Sequence, residues 1–268
     1  MTLELVGIDG AMFPVLDEGY GPSILILHPG SSDAASWDRV ARRLTSRFRV
    51  LRFDRFTYRS DPTPAAVDAM KGEVSDVVAV AEAVGEPVLL VGHSSGGVVA
   101  LESALAARPH VAGLVLYEPP VAVTEPLGGA ALHEARAALD AGDLDRAMTV
   151  FLRDIVAVPT LVVSLLRLAP SLWRRQRGYA RAQIADTEAI EALGVGLDRY
   201  TALDVPALLV GGGLLSPSQL RERLDALAAA LPRVDSMVIV KRGGHGMHLS
   251  APGTLSQTIA DFADRVMC

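Results

Sequence analysis

The stretch Pro87-Val88-Leu89-Leu90-Val91-Gly92-His93-Ser94-Ser95-Gly96-Gly97 decides how this chain is read. A short apolar run of strand length ends at Gly92, and a helical pattern begins at once. The pattern Gly92-x-Ser94-x-Gly96 in that setting predicts a sharp strand-to-helix turn that lifts the Ser94 hydroxyl out of a packed sheet. Gly92 and Gly96 suit the places where strand and helix pass too closely for a side chain. The same spacing also occurs in glycine-rich turns without chemistry; the flanking strand and helix favour a reactive serine.

Outward from this turn, short β-like runs alternate with amphipathic helical patterns, as in a mostly parallel, doubly wound α/β sheet covered on both faces. The expected strands are Leu3–Ile8, Phe13–Glu18, Ile24–Leu27, Val50–Phe53, Val88–Val91, Val111–Tyr117, Ala207–Val210 and Met237–Val240. The first two mix apolar and polar residues and read as an antiparallel edge; the later ones are nearly all apolar, as strands buried on both faces should be. Helices are expected over Ser36–Leu44, Ala65–Val84 (with Pro64 near its start and Gly85 past its end), Ser95–Ala107, Pro217–Ala230 and Pro252–Val266. Residues 121–202 carry only helical patterns between two strands. They read as an all-helical cap inserted into a core domain made of residues 1–120 and 203–268.

Composition bounds the function. The chain has 268 residues, half of them hydrophobic, which is ample for one large domain. A net charge of −6 and the lack of a long basic run argue against nucleic acid as a partner. The longest apolar stretch, Ile155–Leu166, is too short to span a bilayer and contains Pro159. The first residues lack the charged and apolar regions of a signal peptide, so a cytoplasmic location is expected. The only cysteine is Cys268, which excludes a disulfide framework and a thiolate metal site. No cofactor and no metal are expected; the partner is a small-molecule substrate.

A serine hydroxyl is a weak nucleophile until a base takes its proton. Past the last expected strand, Gly243-Gly244-His245-Gly246 puts His245 in a glycine-rich loop at a strand's carboxyl end, where sites form. His248, one turn on, is the rival base, though it better suits packing at the start of the final helical region.

With Gly92-His93-Ser94-Ser95-Gly96, the late Gly244-His245 and the early His28-Pro29-Gly30, the chain resembles the α/β-hydrolase fold family over essentially its whole length. The resemblance implies an oxyanion hole of backbone N–H groups at Gly30 and Ser95, each worth on the order of 3 kcal/mol. The family's usual His-Gly is His28-Pro29 here, and proline has no N–H, so the donor falls to Gly30 or Ser31. His28, Ser31, His93 and, in the cap, Trp173 are candidate substrate-binding residues; alternatively the His28 ring only pins its loop.

The family's usual acid position, after the penultimate strand, holds Ser216 instead of a carboxylate, and Asp204 lies at the wrong end of that strand. Some members carry the acid after the strand that follows the elbow helix; here that residue is Glu118. Glu118 is either the acid that orients His245 or an anchor for the cap. A serine rather than an aspartate at the elbow disfavours epoxide or halide chemistry. The resemblance implies hydrolysis of an ester, thioester, lactone or ketone C–C bond through an acyl-enzyme, with Ser94, His245 and Glu118 catalytic. The alternative is a non-hydrolytic relative, such as a lyase, a cyclase or a ligand-binding protein.

Three further segments stay open. In Asp54-Arg55-Phe56-Thr57-Tyr58-Arg59-Ser60, Thr57 and Arg59 replace the glycines of relatives, which either narrows the pocket or is neutral. Ile155–Leu166, apolar nearly all round, is expected to be buried or to line an apolar cavity. Arg174, Arg177 and Arg181 share one helical face, which reads as solvated, as an anion-binding strip or as a membrane-surface contact.

Overall fold

The computed structural model describes residues 2–59, 63 and 66–267; Ser60, Pro64, Ala65 and Cys268, named above, lie outside them. Among the described residues, eight strands form one sheet: β1 (Thr2–Val6), β2 (Met12–Glu18), β3 (Ser23–Leu27), β4 (Arg49–Phe53), β5 (Val88–His93), β6 (Val111–Tyr117), β7 (Ala207–Gly212) and β8 (Val234–Val240). Their order is β1-β2-β4-β3-β5-β6-β7-β8. β1 and β2 are antiparallel, as their mixed composition predicts, and every pairing from β4 onward is parallel.

β3 and β5 are buried at every position, which explains the Val, Ile and Leu runs over residues 24–27 and 88–91. β8 departs from that expectation: it starts at Val234 and is only half-buried, because it forms the sheet's edge. Asp38–Leu44 and Pro252–Met267 pack one face through Val40, Leu44, Leu255 and Ile259. Ala66–Val84, Ser95–Ala106 and Ser218–Ala230 cover the other through Val77, Val98, Leu101, Leu224 and Leu227. No described helix is long and apolar enough to cross a membrane.

Between β6 and β7 the described residues hold helices and no strand. Gly129–Asp140 is followed by Leu144–Val150, which runs on as a π-helical turn over Phe151–Ile155. Thr160–Arg167, Pro170–Gly178, Ala180–Glu191 and a short 3₁₀ turn complete the insertion. Its own core joins Leu132, Ala135, Met148, Phe151, Trp173 and Ile184.

The apolar segment Ile155–Leu166 divides against expectation. Ile155 to Pro159 line a cavity and Val163 is buried, but Leu161, Val162 and Leu165 face outward. The helix Thr160–Arg167 is too short to wrap its hydrophobic surface on all sides.

Candidate active site

Ser94 sits at the tip of β5 with φ 52° and ψ −128°, a backbone conformation that a non-glycine residue holds only under constraint. The constraint comes from close packing. A Cβ at Gly92 would lie 2.5 Å from Gly96 O, and one at Gly96 would lie 2.5 Å from Leu27 O. Ser94 N–H donates to Tyr117 O (2.8 Å), which ties the elbow to β6. Ser95 opens the following helix, where a backbone N–H has no intrahelical acceptor.

β6 ends at Tyr117, and Glu118 follows it directly. Glu118 is 1% exposed and has φ 45°. Its Oε1 accepts from Gly212 N–H (2.6 Å), and its Oε2 lies 2.7 Å from His245 Nδ1. Burial alone would raise the pKa of Glu118. Hydrogen bonds from His245 and Gly212 outweigh burial and hold it below the ordinary carboxylate range. An ionised carboxylate can only accept, so His245 carries its proton on Nδ1 and turns a free Nε2 away from Glu118. Ser216, after β7, holds the family's usual acid position, and its buried hydroxyl has no hydrogen-bond partner among the described residues.

Tyr117 fixes the other end of this arrangement. Its hydroxyl donates to Gly244 O and accepts from Met247 N–H (3.0 Å), bracketing His245. His93 stacks on the Tyr117 ring at 4.2 Å and lies 4.8 Å from His245 and from His248. Burial, then the two neighbouring histidines, push the pKa of His93 well down, so it is a neutral packing element. His248 is stacked on Trp37, and burial lowers its pKa to about 4. It packs beside the site, and no described carboxylate orients it.

Ser94, Ser95, His93, His245, His248, Pro29, Gly30 and Ser31 all border one cavity of about 490 Å³. Its opposite walls are Phe151, Leu152 and Ile155 to Pro159 of the insertion and Leu215, Pro217 and Leu220 after β7. Two sequence expectations need correction. His28 is not on the cavity. It is buried behind the loop, where Nδ1–H donates to Pro29 O (2.8 Å) and Nε2 accepts from Arg55 N–H (3.0 Å). Burial lowers its pKa to about 3, so it pins the loop as a neutral ring. Trp173 does not border the cavity either: its ring is in the insertion's core and its indole N–H donates to Asp145. A large amphipathic ring can fill a helical core as readily as a binding wall.

A second buried constellation carries no local signal in the sequence. Arg55, fully buried, donates to Asp186 Oδ2 (2.9 Å) and to Ser95 Oγ (2.8 Å), with Glu73 Oε1 at 3.4 Å. Tyr58 donates to the same Asp186 oxygen (2.8 Å). Asp186 belongs to the insertion, so this ion pair joins insertion, elbow helix and the loop after β4. Thr57 N–H donates to Glu73 (3.1 Å) and Arg59 pairs with Asp76 (2.7 Å). The residues that replace glycines in that loop thus anchor it to the helix Ala66–Val84, and neither borders the cavity. Gln183 accepts from Ser31 Oγ (2.9 Å) and fills the space over Gly30 that a Cβ would need. No local sequence signal could identify a glutamine matched to a loop 152 positions away.

Of the three arginines on one helical face, Arg177 pairs with Asp145 (2.8 Å), and Arg174 and Arg181 are exposed. Among the described residues, no group of His, Cys, Asp or Glu could hold a metal ion.

Comparison with known proteins agrees with this architecture. The chain matches the curated proteins over only part of their length. Lipase LipV of Mycobacterium tuberculosis is 35% identical over 111 residues, which is 39% of this chain and 41% of that protein. A pimeloyl-[acyl-carrier protein] methyl ester esterase of Methylococcus capsulatus is 36% identical over 100 residues, 37% of either chain. The matched part of other mycobacterial relatives is 30% of their length. Whole-chain likeness comes from solved structures. An alpha/beta hydrolase of Sphaerobacter thermophilus superposes with a TM-score of 0.82 at 25% identity, covering 97% of this chain and 99% of that one. A hydrolase of Pseudomonas aeruginosa gives 0.76 at 22% identity and 97% coverage of both, and so likeness of fold. The model of the alpha/beta hydrolase family matches residues 24–258, and the chain belongs to that family.

Proposed function

We propose that the protein is a serine hydrolase that cleaves an ester, thioester, lactone or ketone C–C bond of a small, largely apolar substrate through an acyl-enzyme. The observation that carries this reading is the Glu118–His245 bond of 2.7 Å, set in the same cavity as a serine held at φ 52°. Ser94 Oγ attacks the carbonyl while His245 Nε2 takes its proton. Glu118 keeps the imidazole in the Nδ1–H tautomer and stabilises it once protonated. Gly30 and Ser95 N–H groups receive the developing oxyanion. The proton then passes from His245 to the leaving group. Water, activated by the same histidine, attacks the acyl-serine and frees the acid and Ser94.

The apolar wall of Leu127, Phe151, Ile155, Val156 and Leu220 suits a hydrocarbon portion of the substrate. Residues 121–202 serve as the cap over a core of residues 1–120 and 203–268. The names of the matched relatives, a lipase and a methyl ester esterase, point the same way.

The test is labelling with a fluorophosphonate probe. The native protein should label and hydrolyse a short-chain p-nitrophenyl ester; Ser94→Ala should do neither. A native protein that fails to label would overturn the activated serine and leave a non-hydrolytic relative as the reading.

A further inference from the structure

The cavity is lined by one fixed charge. Among the described residues that border it, none is Asp, Glu or Lys, and the only permanent ion is Arg223. Arg223 stands on the helix Ser218–Ala230, one turn beyond Gln219 and Leu220, which border the same cavity. Leu224, its neighbour, is fully buried in the core, so this turn is held firmly against the sheet. Gln219 Nε2 donates to Val156 O (3.4 Å), joining this face to the insertion.

What sets Arg223 apart is its missing counterion. The other buried arginines are answered: Arg55 by Asp186 and Glu73, Arg52 by Glu18 and Asp38. Arg223, only partly exposed, has no hydrogen-bond or ion-pair partner among the described residues. Its neighbour Glu222 is exposed and makes no ion pair with it. Burial lowers its pKa, and the attraction of Glu222 offsets this only in part. A partly desolvated guanidinium without a partner is costly unless a ligand supplies the anion.

We propose that Arg223 binds a carboxylate on the substrate, so that the enzyme acts on carbonyl compounds whose apolar chain ends in an acid group, such as the half-esters of dicarboxylic acids. This deepens the hydrolase reading and rests on it. Helix Ser218–Ala230 follows β7, which lies two strands from β5 and Ser94. With strands about 4.8 Å apart, the two ends of the cavity stand on the order of 10 Å apart across the sheet. Between them the wall is Leu215, Pro217 and Leu220, a path for methylene groups rather than polar ones. A carboxylate matches the planar fork of a single guanidinium in bidentate fashion. A phosphate dianion would want further donors than this apolar wall offers.

The experiment compares monomethyl adipate with its neutral counterpart, dimethyl adipate. In the native enzyme, added salt should raise KM for the anionic ester more than for the neutral one. In Arg223→Gln, the ratio of kcat/KM for monomethyl over dimethyl adipate should fall at least about tenfold, through KM, in line with loss of a charge-assisted hydrogen bond. Arg223→Lys should recover part of that ratio, and Arg221→Gln, one turn-face away on the same helix, should keep it. A smaller fall, or equal losses on both esters, overturns the proposal.

Binding is measured separately in a Ser94→Ala background, which cannot turn over. There the Kd of monomethyl adipate should rise at least about tenfold on adding Arg223→Gln, and an unchanged Kd overturns the anion site. Because this arm needs no catalysis, it distinguishes failure of the anion site from failure of the hydrolase reading, which the fluorophosphonate label reports.

Discussion

Glu118 and Asp186 are both carboxylates at 1% exposure, both too deep to ionise cheaply, and both held below the ordinary carboxylate range by their partners. The partners differ. Asp186 faces Arg55, a permanent cation with no exposed surface, and the Tyr58 hydroxyl. Glu118 faces His245, whose side chain is 32% exposed at the cavity. The first pair is sealed and static, and it locks the insertion onto the elbow helix. The second is open on one side, where His245 meets the cavity. Within one protein, a buried acid locks two elements together where its partner is sealed, and orients a side chain at a cavity where its partner is exposed.

The largest effect should come from breaking the sealed pair. Asp186→Asn leaves Arg55 without its closest carboxylate and should cost about 3–5 kcal/mol of stability in urea unfolding. A loss under about 1 kcal/mol would mean that Glu73 alone satisfies the guanidinium. On the open pair, Glu118→Gln can still accept from Gly212 N–H but cannot orient the Nδ1–H of His245. Its kcat on a simple ester should drop at least about tenfold, equivalent to about 1.4 kcal/mol of barrier, with the fold retained by circular dichroism. An undiminished kcat removes Glu118 from the mechanism.

Acidity probes the sealed side more gently. Burial pushes the pKa of Glu73 from 4.5 up to about 6, despite Arg55. The folded chain therefore keeps this proton at pH values where the unfolded chain has released it. The stabilising contribution is full below about pH 4.5 and is lost as pH rises through about 6. Thermal unfolding across that window should fall less steeply with rising pH in Glu73→Gln than in the native protein; parallel curves would show that Glu73 is already ionised. At the small end, Arg221→Ala removes an exposed pair with Asp225 (2.9 Å) and should change stability by no more than about 0.5 kcal/mol.

The open pair was legible in the sequence because local punctuation marks it. Gly92 and Gly96 bracket the serine, Pro119 and Pro120 close the strand that delivers Glu118, and glycines flank His245. Such residues announce turns at strand ends, and a parallel sheet gathers those ends together. The sealed pair was not legible. Arg55 and Asp186 lie 131 positions apart, and each would ordinarily be read as a surface charge. The insertion resisted for a related reason: amphipathic helices show which face is apolar without saying what that face meets. Hence Trp173 turned inward to the insertion's own core, and Leu161 and Leu165 remained outside it.

Housing the acid on β6 has a consequence for how this scaffold can change. The turn after β7 carries no reacting group. Its backbone is strapped to the His245 loop by Gly213 N–H to Gly243 O (3.1 Å) and Leu214 N–H to Lys241 O (3.1 Å). A Cβ at Gly213 would lie 2.4 Å from Lys241 O, so that position must stay glycine, but the strap at Leu214 is indifferent to its side chain. Leu214 and Leu215 both stand largely exposed on that frame, and Leu215 also borders the cavity. Diversifying position 215 is the place to reshape the cavity while the Glu118–His245 pair stays in register.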